Sequence, residues 1–367
     1  MTWRTMSKSF GVLVCTAYVC SSLSCSPVDE PGAAEAAYEL RMSGKLVEAR
    51  QLLTGALAED PDYAAGHYEL ARIFVHAALG DQPRKMDSLL TAAQESIDRA
   101  VALDSTCAIY PFFAGQLGFV RAFLAMNLGE GDAAQKVASS CESFAAALRL
   151  KPDYHAARLH LVELYGLMPA EMGGDRSRAE SYMAESVRRD DVCGMKAQSI
   201  LGEVGIADWD ALREQHPDDP EVLEELGKAY LREGNLTQAG MCFEEAMAID
   251  STEVILFLDL GRYHLMHMME ILMSEEQEDL PLHLAAAEEA MLRYLDSNPP
   301  VPMKAYALRM LSHVKHGAGD QEEVRRLKDE AKSLDPYHSR ATACPSPSLF
   351  TPPGAISHEH RYMMRPL

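Results

Sequence analysis

LGKAYLREGNLTQAGMCFEEAMAIDS, residues 226–251, decides how this chain is read. Leu226 and Tyr230 stand one helical turn apart, and Phe243 opens the same kind of apolar stripe in the segment that follows. Gly234-Asn235 lies between the two stripes and supplies a turn. Gly227 and Ala239 are small, so two antiparallel helices can approach closely at those points. The stretch predicts a helix pair with Leu226, Tyr230 and Phe243 filling its seam.

The same skeleton recurs along the chain. Residues 33–61 carry Ala36-Ala37, Leu40, Gly44, Ala49, Leu53, Ala56 and Pro61, and residues 67–105 carry Leu70-Ala71, Phe74, Ala93, Ile97 and Ala100. Residues 114–152 carry Leu117-Gly118, Phe144, Ala147 and Pro152, and a looser copy has Leu161, Tyr165, Ala179, Met183 and Ser186. Beyond residue 251 come Leu260-Gly261, Ala287, Met291, Tyr294 and Pro299, then Leu311, Gly319, Ala331 and Pro336. The pattern resembles the tetratricopeptide-repeat (TPR) family. The repeat ends, at 61, 105, 152, 191, 251, 299 and 336, lie 37 to 60 residues apart, against about 34 for a plain repeat. The excess is expected as insertions between paired helices at 79–90, 124–135 and 274–285. The long gap before 251 leaves room for a degenerate short unit around Leu201-Gly202 and Trp209. The resemblance implies an all-α fold: a right-handed superhelical solenoid of about seven antiparallel helix pairs plus that unit, over residues 33–336. Such a scaffold carries no chemistry by itself.

Composition agrees with a helical core-forming protein. The chain has 367 residues, 47% of them hydrophobic and 7% aromatic, with a formal charge of −21. That acidity argues against a nucleic-acid partner, because a phosphate backbone needs clustered Lys and Arg.

The first residues read as an export signal. Arg4 and Lys8 precede an apolar run from Phe10 to Cys20, too short to span a bilayer but long enough for a signal-peptide core. Ser22-Leu23-Ser24-Cys25 then resembles a bacterial lipoprotein signal, which implies cleavage after residue 24 and lipidation of Cys25. Ser22 and Ser24 also suit ordinary signal cleavage. The expected organisation is a signal peptide over 1–24, an anchor linker over 25–32, the solenoid, and a flexible Pro-rich tail over 337–367. The location implied is the cell envelope, with a lipid anchor to a membrane. The next most apolar segment, Val254 to Met273, contains Asp259, Arg262 and Glu270 and makes a poor span. The five cysteines beyond the signal show no metal-binding spacing; they read as buried thiols, with one disulfide open in an oxidising compartment.

Function is sought on the first helix of each pair, which lines the inner curve of such a superhelix. Immediately after the Leu-Gly register come Tyr38, Arg72, Phe119, Lys228, Arg262 and His313; three or four residues further on come Arg41, His76, Phe123, Arg232 and His316. Basic and aromatic residues at one register predict a groove for the carboxylate terminus or acidic side chains of a partner protein or peptide. The stretch Tyr165 to Ala179, with Pro169 and Gly173-Gly174-Asp175, also resembles exported repeat lipoproteins that partner periplasmic solute-binding proteins in tripartite (TRAP) transport. As local structure it reads as a turn in which the glycines take positive φ and Asp175 caps the next helix.

A rival reading is a small-molecule or metal carrier. His264 and His267 share a helix face beside several methionines, a donor set suited to copper; as seam residues they equally serve packing. His358-Glu359-His360 is a further adventitious donor set. No nucleophile motif, phosphate loop or dinucleotide fingerprint occurs, so neither an enzyme nor a resident cofactor is expected.

Overall fold

A computed structural model describes residues 32–79, 83–250, 254–273 and 280–338. The signal region with Cys25, most of the tail and His358-Glu359-His360 lie outside the described residues. Among the described residues the chain forms sixteen α-helices and no strand.

In chain order the helices run α1 (Ala33–Met42) with α2 (Leu46–Glu59), α3 (Ala64–Ala78) with α4 (Pro83–Leu103), α5 (Ile109–Leu128) with α6 (Ala133–Leu150), and α7 (His155–Leu167) with α8 (Arg176–Arg189). Then follow α9 (Asp191–Ile200) with α10 (Ile206–Gln215), α11 (Pro220–Arg232) with α12 (Leu236–Ile249), α13 (Ile255–Met273) with α14 (Leu280–Asp296), and α15 (Val301–Gly317) with α16 (Gln321–Leu334). Seven pairs are the seven recognised copies. The degenerate unit is not packed as such a pair: of its two short helices around Gly202 at φ 75°, α9 lies against α7 and α8, and α10 against α11.

The small residues perform as the sequence predicts. Leu226, Ala239 and Phe243 are buried, and a Cβ added at Gly227 would stand 2.4 Å from the Phe243 ring. Ala37, Ala49, Ala71, Ala93, Ala147, Ala179 and Ala331 are likewise fully buried. Their apolar seams join end to end, each cluster sharing helices with the next, which is how stacked repeats build one core. The α9–α10 unit depends on bulk instead. Fully buried Trp209 of α10 fills a cluster with Val192 of α9 and with Val222 and Leu226 of α11.

Most of the extra residues of the second and third copies lie in helices rather than in loops. Helix α4 begins at Pro83, α5 continues to Leu128 and α13 to Met273, because their Ala, Leu, Met, Lys and Arg favour helix. The insertions expected at 79–90 and 124–135 are thus largely helical, and residues 274–279 of the third lie outside the described residues. Helix α5 is long and apolar enough to cross a membrane, the one such helix among the described residues, yet 72% of its apolar window is buried inside the molecule. It is a core helix, more apolar than the Val254–Met273 segment that the sequence singles out.

The two ends meet. Leu79, just past the end of α3, packs on the cluster built from α13–α16, and Tyr337 packs on the cluster of Leu46 and Ile73. A Cβ on Gly44, at φ 79° in the α1–α2 turn, would strike the Leu334 carbonyl at 2.4 Å. His76 of α3 bonds Asp335, 259 residues away. The superhelix is therefore closed by its last turn. Tyr337 and His338, assigned to the flexible tail from sequence, belong to this junction; His338 is fully buried.

Candidate interaction surface

The inner register does not present a free basic groove. Arg41 of α1 and Arg72 of α3 are 0% exposed and share the buried carboxylate of Glu69, through Nε at 2.7 Å and Nη1 at 3.0 Å. Tyr38 is half-buried beside them, its ring 5.5 Å from the Arg41 guanidinium and 5.4 Å from that of Arg72. Burial pushes its hydroxyl pKa upward against the pull of the two arginines. Buried cations in this chain meet an acid, on their own helix or on a neighbouring one, because a buried charge must be paired.

The same correction applies further along. Lys228 reaches Glu224 at 2.5 Å and Glu225 at 2.9 Å. Lys196 of α9 reaches Glu221 at 2.5 Å and Glu225 at 3.6 Å, tying the degenerate unit to α11. Burial by itself would raise the Glu225 pKa, but Lys228 and Lys196 bring it down to about 2. Glu224, deeper still, is raised by burial. Arg262 pairs with Asp259 at 3.1 Å. Exposed Arg232 donates to Ser199 Oγ at 3.2 Å. Phe119 is half-buried against the α5–α8 core, and Phe123 is exposed one turn later.

His264 is buried and its Nδ1 lies 3.2 Å from Nδ1 of His283 on α14. Two neutral imidazoles can share one proton across that distance. Burial and the His283 and His267 rings lower the His264 pKa to about 4. His267 Nε2 meets the Tyr263 hydroxyl at 2.7 Å. The histidine pair that sequence offers as donors flanks a third histidine from the facing helix, His283, whose ring centroid lies 5.4 Å from that of His264 and 5.5 Å from that of His267.

The turn at Pro169 is built largely as expected. Gly173 takes φ 93°, and the Asp175 carboxylate accepts from the Ser177 and Arg178 amides at the start of α8. Gly174 is needed for a different reason: a Cβ there would lie 1.8 Å from the Met168 carbonyl oxygen. Cys141, Cys193 and Cys242 are buried free thiols, with burial raising Cys242 to about 11. Cys107 is disulfide-bonded.

The concave apolar surface lies elsewhere, beside the closure. A groove of about 400 Å³ runs between α2 and α3, floored by Leu46, Ile73, Ala77 and Tyr337 and rimmed by Arg50, Gln51 and Thr54. Val47 at its edge is 56% exposed. The Arg50 guanidinium lies over the Phe74 ring, 5.0 Å from its centroid, and no carboxylate among the described residues forms a salt bridge with it. An apolar floor with one exposed cation on its rim suits an apolar segment that ends in, or carries, a carboxylate. Sequence reading missed this site because Arg50 sits on the second helix of its pair and Tyr337 follows the last repeat.

No protein-family model matches the chain, and no curated protein matches it. Among solved structures it is similar to MamA (18% identity, 62% of this chain and 98% of that one, TM-score 0.31). It is also similar to human IFIT1 in its dimer with m7Gppp-AAAA (13% identity, 85% and 70%, TM-score 0.39). A tetratricopeptide repeat protein from Parabacteroides merdae is similar at 14% identity, over 82% and 91% of the two chains, with a TM-score of 0.33. Likenesses this slight carry no argument, and the repeat architecture stands on the helices, turns and seams described above.

Proposed function

We propose that this chain is a non-enzymatic adaptor, exported to the bacterial cell envelope and anchored there through a lipid on Cys25. In this reading a partner protein or peptide docks in the groove between α2 and α3. The observation that carries the reading is the groove itself: apolar floor residues beside an exposed Arg50 that no described carboxylate engages. The paired, buried charges of the inner register supply rigidity, so the docking surface is preformed and little entropy is lost on binding. The Cys107 disulfide supports an oxidising compartment. A periplasmic solute-binding protein is the partner class implied by the resemblance at 165–179.

A photo-crosslinker at Val47 in cells tests the groove. The expected result is a discrete crosslinked partner whose yield falls at least about tenfold in Arg50→Glu, since a charge-assisted contact contributes roughly 1.5–3 kcal/mol. Unchanged yield would remove the groove assignment. In the same cells Cys25→Ser should release the protein from membranes, and continued membrane residence would refute the lipid anchor.

A further inference from the structure

Three ligand-type atoms converge at the point where the superhelix closes. His76 Nε2, from α3, lies 2.7 Å from Asp335 Oδ2. His338 Nδ1 lies 2.8 Å from the same His76 nitrogen and 3.4 Å from the same carboxylate oxygen. All three side chains are buried, at 0%, 1% and 0% exposure. The other oxygen of Asp335 is already committed: Oδ1 accepts from the Tyr337 and His338 amides at 2.8 and 3.0 Å. Backbone thus orients the carboxylate so that one oxygen faces the two imidazoles, the way supporting contacts orient a metal ligand.

Proton counting shows what the cluster wants. Each neutral imidazole carries one N–H, and an ionised carboxylate only accepts. One proton on His76 Nε2 satisfies Asp335, yet His338 Nδ1 is pressed against that same nitrogen. If it also holds a proton, two donors face each other; if it does not, a lone pair shares an already committed N–H. A divalent cation in place of the proton gives all three atoms a partner at once. Arg41 stands within electrostatic reach of both imidazoles, and Glu69 at 2.7 Å takes up its charge.

We propose that His76, Asp335 and His338 form a binding site for a divalent transition ion of the zinc class, which clasps the last turn of the chain to its second helix pair. Two imidazoles and one carboxylate are a zinc-type donor set, with solvent in the fourth position. Bonds of about 2.1 Å in tetrahedral array set ligand atoms roughly 3.4 Å apart. One edge of the triangle has that length already, and the two shorter ones reach it if His76 withdraws by roughly 0.8 Å. The ion would join residues 259 and 262 positions apart in sequence. It would therefore act on closure rather than on any one repeat.

The test uses the full chain carrying His358→Ala and His360→Ala, which removes the adventitious donors of the tail. After chelator treatment it is titrated with Zn²⁺ by calorimetry, and retained metal is counted after gel filtration. The expected result is one Zn²⁺ per chain with a raised Tm, and at least about a tenfold to hundredfold loss of affinity in His76→Gln and in His338→Gln, the loss that even a supporting residue brings. His264→Gln should bind as the parent does. Co²⁺ loading of the parent reports independently of those variants and should give the absorption bands of a four-coordinate nitrogen and oxygen site. Failure to retain zinc, retention unaffected by the His76 and His338 changes, or a cobalt spectrum without histidine ligation would each overturn the assignment.

Discussion

Replacing Glu69 by Ala is expected to destabilise the protein by about 3–5 kcal/mol, the range for breaking a buried ion pair from one side. Glu69 holds two guanidinium groups, those of Arg41 and Arg72, and all three side chains are fully buried. Burial already lowers the Arg41 pKa against the opposing pull of Glu69. Without that carboxylate two like charges face each other in a site with little water. The damage should begin at the first two helix pairs, because each unit of a repeat array rests on its neighbours. Glu69→Gln keeps the shape and should lose less. Replacing all three residues with apolar ones of similar volume should recover much of the loss, since a well-packed apolar cluster often equals or exceeds a buried ion network. Urea denaturation followed by circular dichroism measures all three; a Glu69→Ala protein as stable as the parent would mean the cluster is not buried as described.

The second large effect is expected at Lys228, and it reverses what the sequence implies. As a groove residue, Lys228 would change binding and leave stability alone. As the ammonium 2.5 Å from Glu224 and 2.9 Å from Glu225, it neutralises carboxylates that link α11 to α9. Lys228→Met should therefore cost about 3–5 kcal/mol at neutral pH. The cost should shrink on acidification. Burial raises the Glu224 pKa already, and loss of the neighbouring ammonium raises it further. The folded variant then binds more protons than the unfolded chain, so its stability falls as pH rises and recovers as pH falls. Denaturation curves at several pH values above the usual carboxylate range should show the gap between parent and variant narrowing toward the acid side. A gap independent of pH would place the carboxylates in solvent.

These two sites mark where sequence reading stops. The pairing of helices was legible because its determinants are local: Gly227 and Ala239 lie within a dozen residues of each other, and Phe243 sits one turn beyond. Even the degenerate unit showed, through Gly202 and Trp209. What a first-helix cation meets is local only in part: Glu69, Glu224 and Asp259 stand three or four residues before Arg72, Lys228 and Arg262, where sequence alone does not tell a buried pair from a solvated one, and other partners are distant. Glu69 belongs to the pair after Arg41, and Glu221 lies 25 residues from Lys196. A register of Arg, Lys and aromatics looks alike whether it faces a ligand or a buried acid. Closure was less legible still, since Asp335 and His338 follow the last recognised repeat and resemble the start of a tail. Only the folded chain brings them to His76. Extra length in the second and third copies read as loops because a family period was the yardstick, whereas composition favoured longer helices.

The central claim is that the stacked helix pairs close on themselves, and one distance tests it most directly. Ser43, in the α1–α2 turn, and Ser333, near the end of α16, are both exposed. Each adjoins a residue of the closing contact between Gly44 and Leu334. Spin labels placed by Ser43→Cys and Ser333→Cys, in a chain whose Cys15, Cys20 and Cys25 are replaced by Ser, can be read by pulsed electron resonance; among the described residues the free thiols at 141, 193 and 242 are buried away from the reagent. Closure predicts one short, narrow distance distribution in the full chain. A long, broad distribution, as for the two ends of an open eight-unit solenoid, would contradict it.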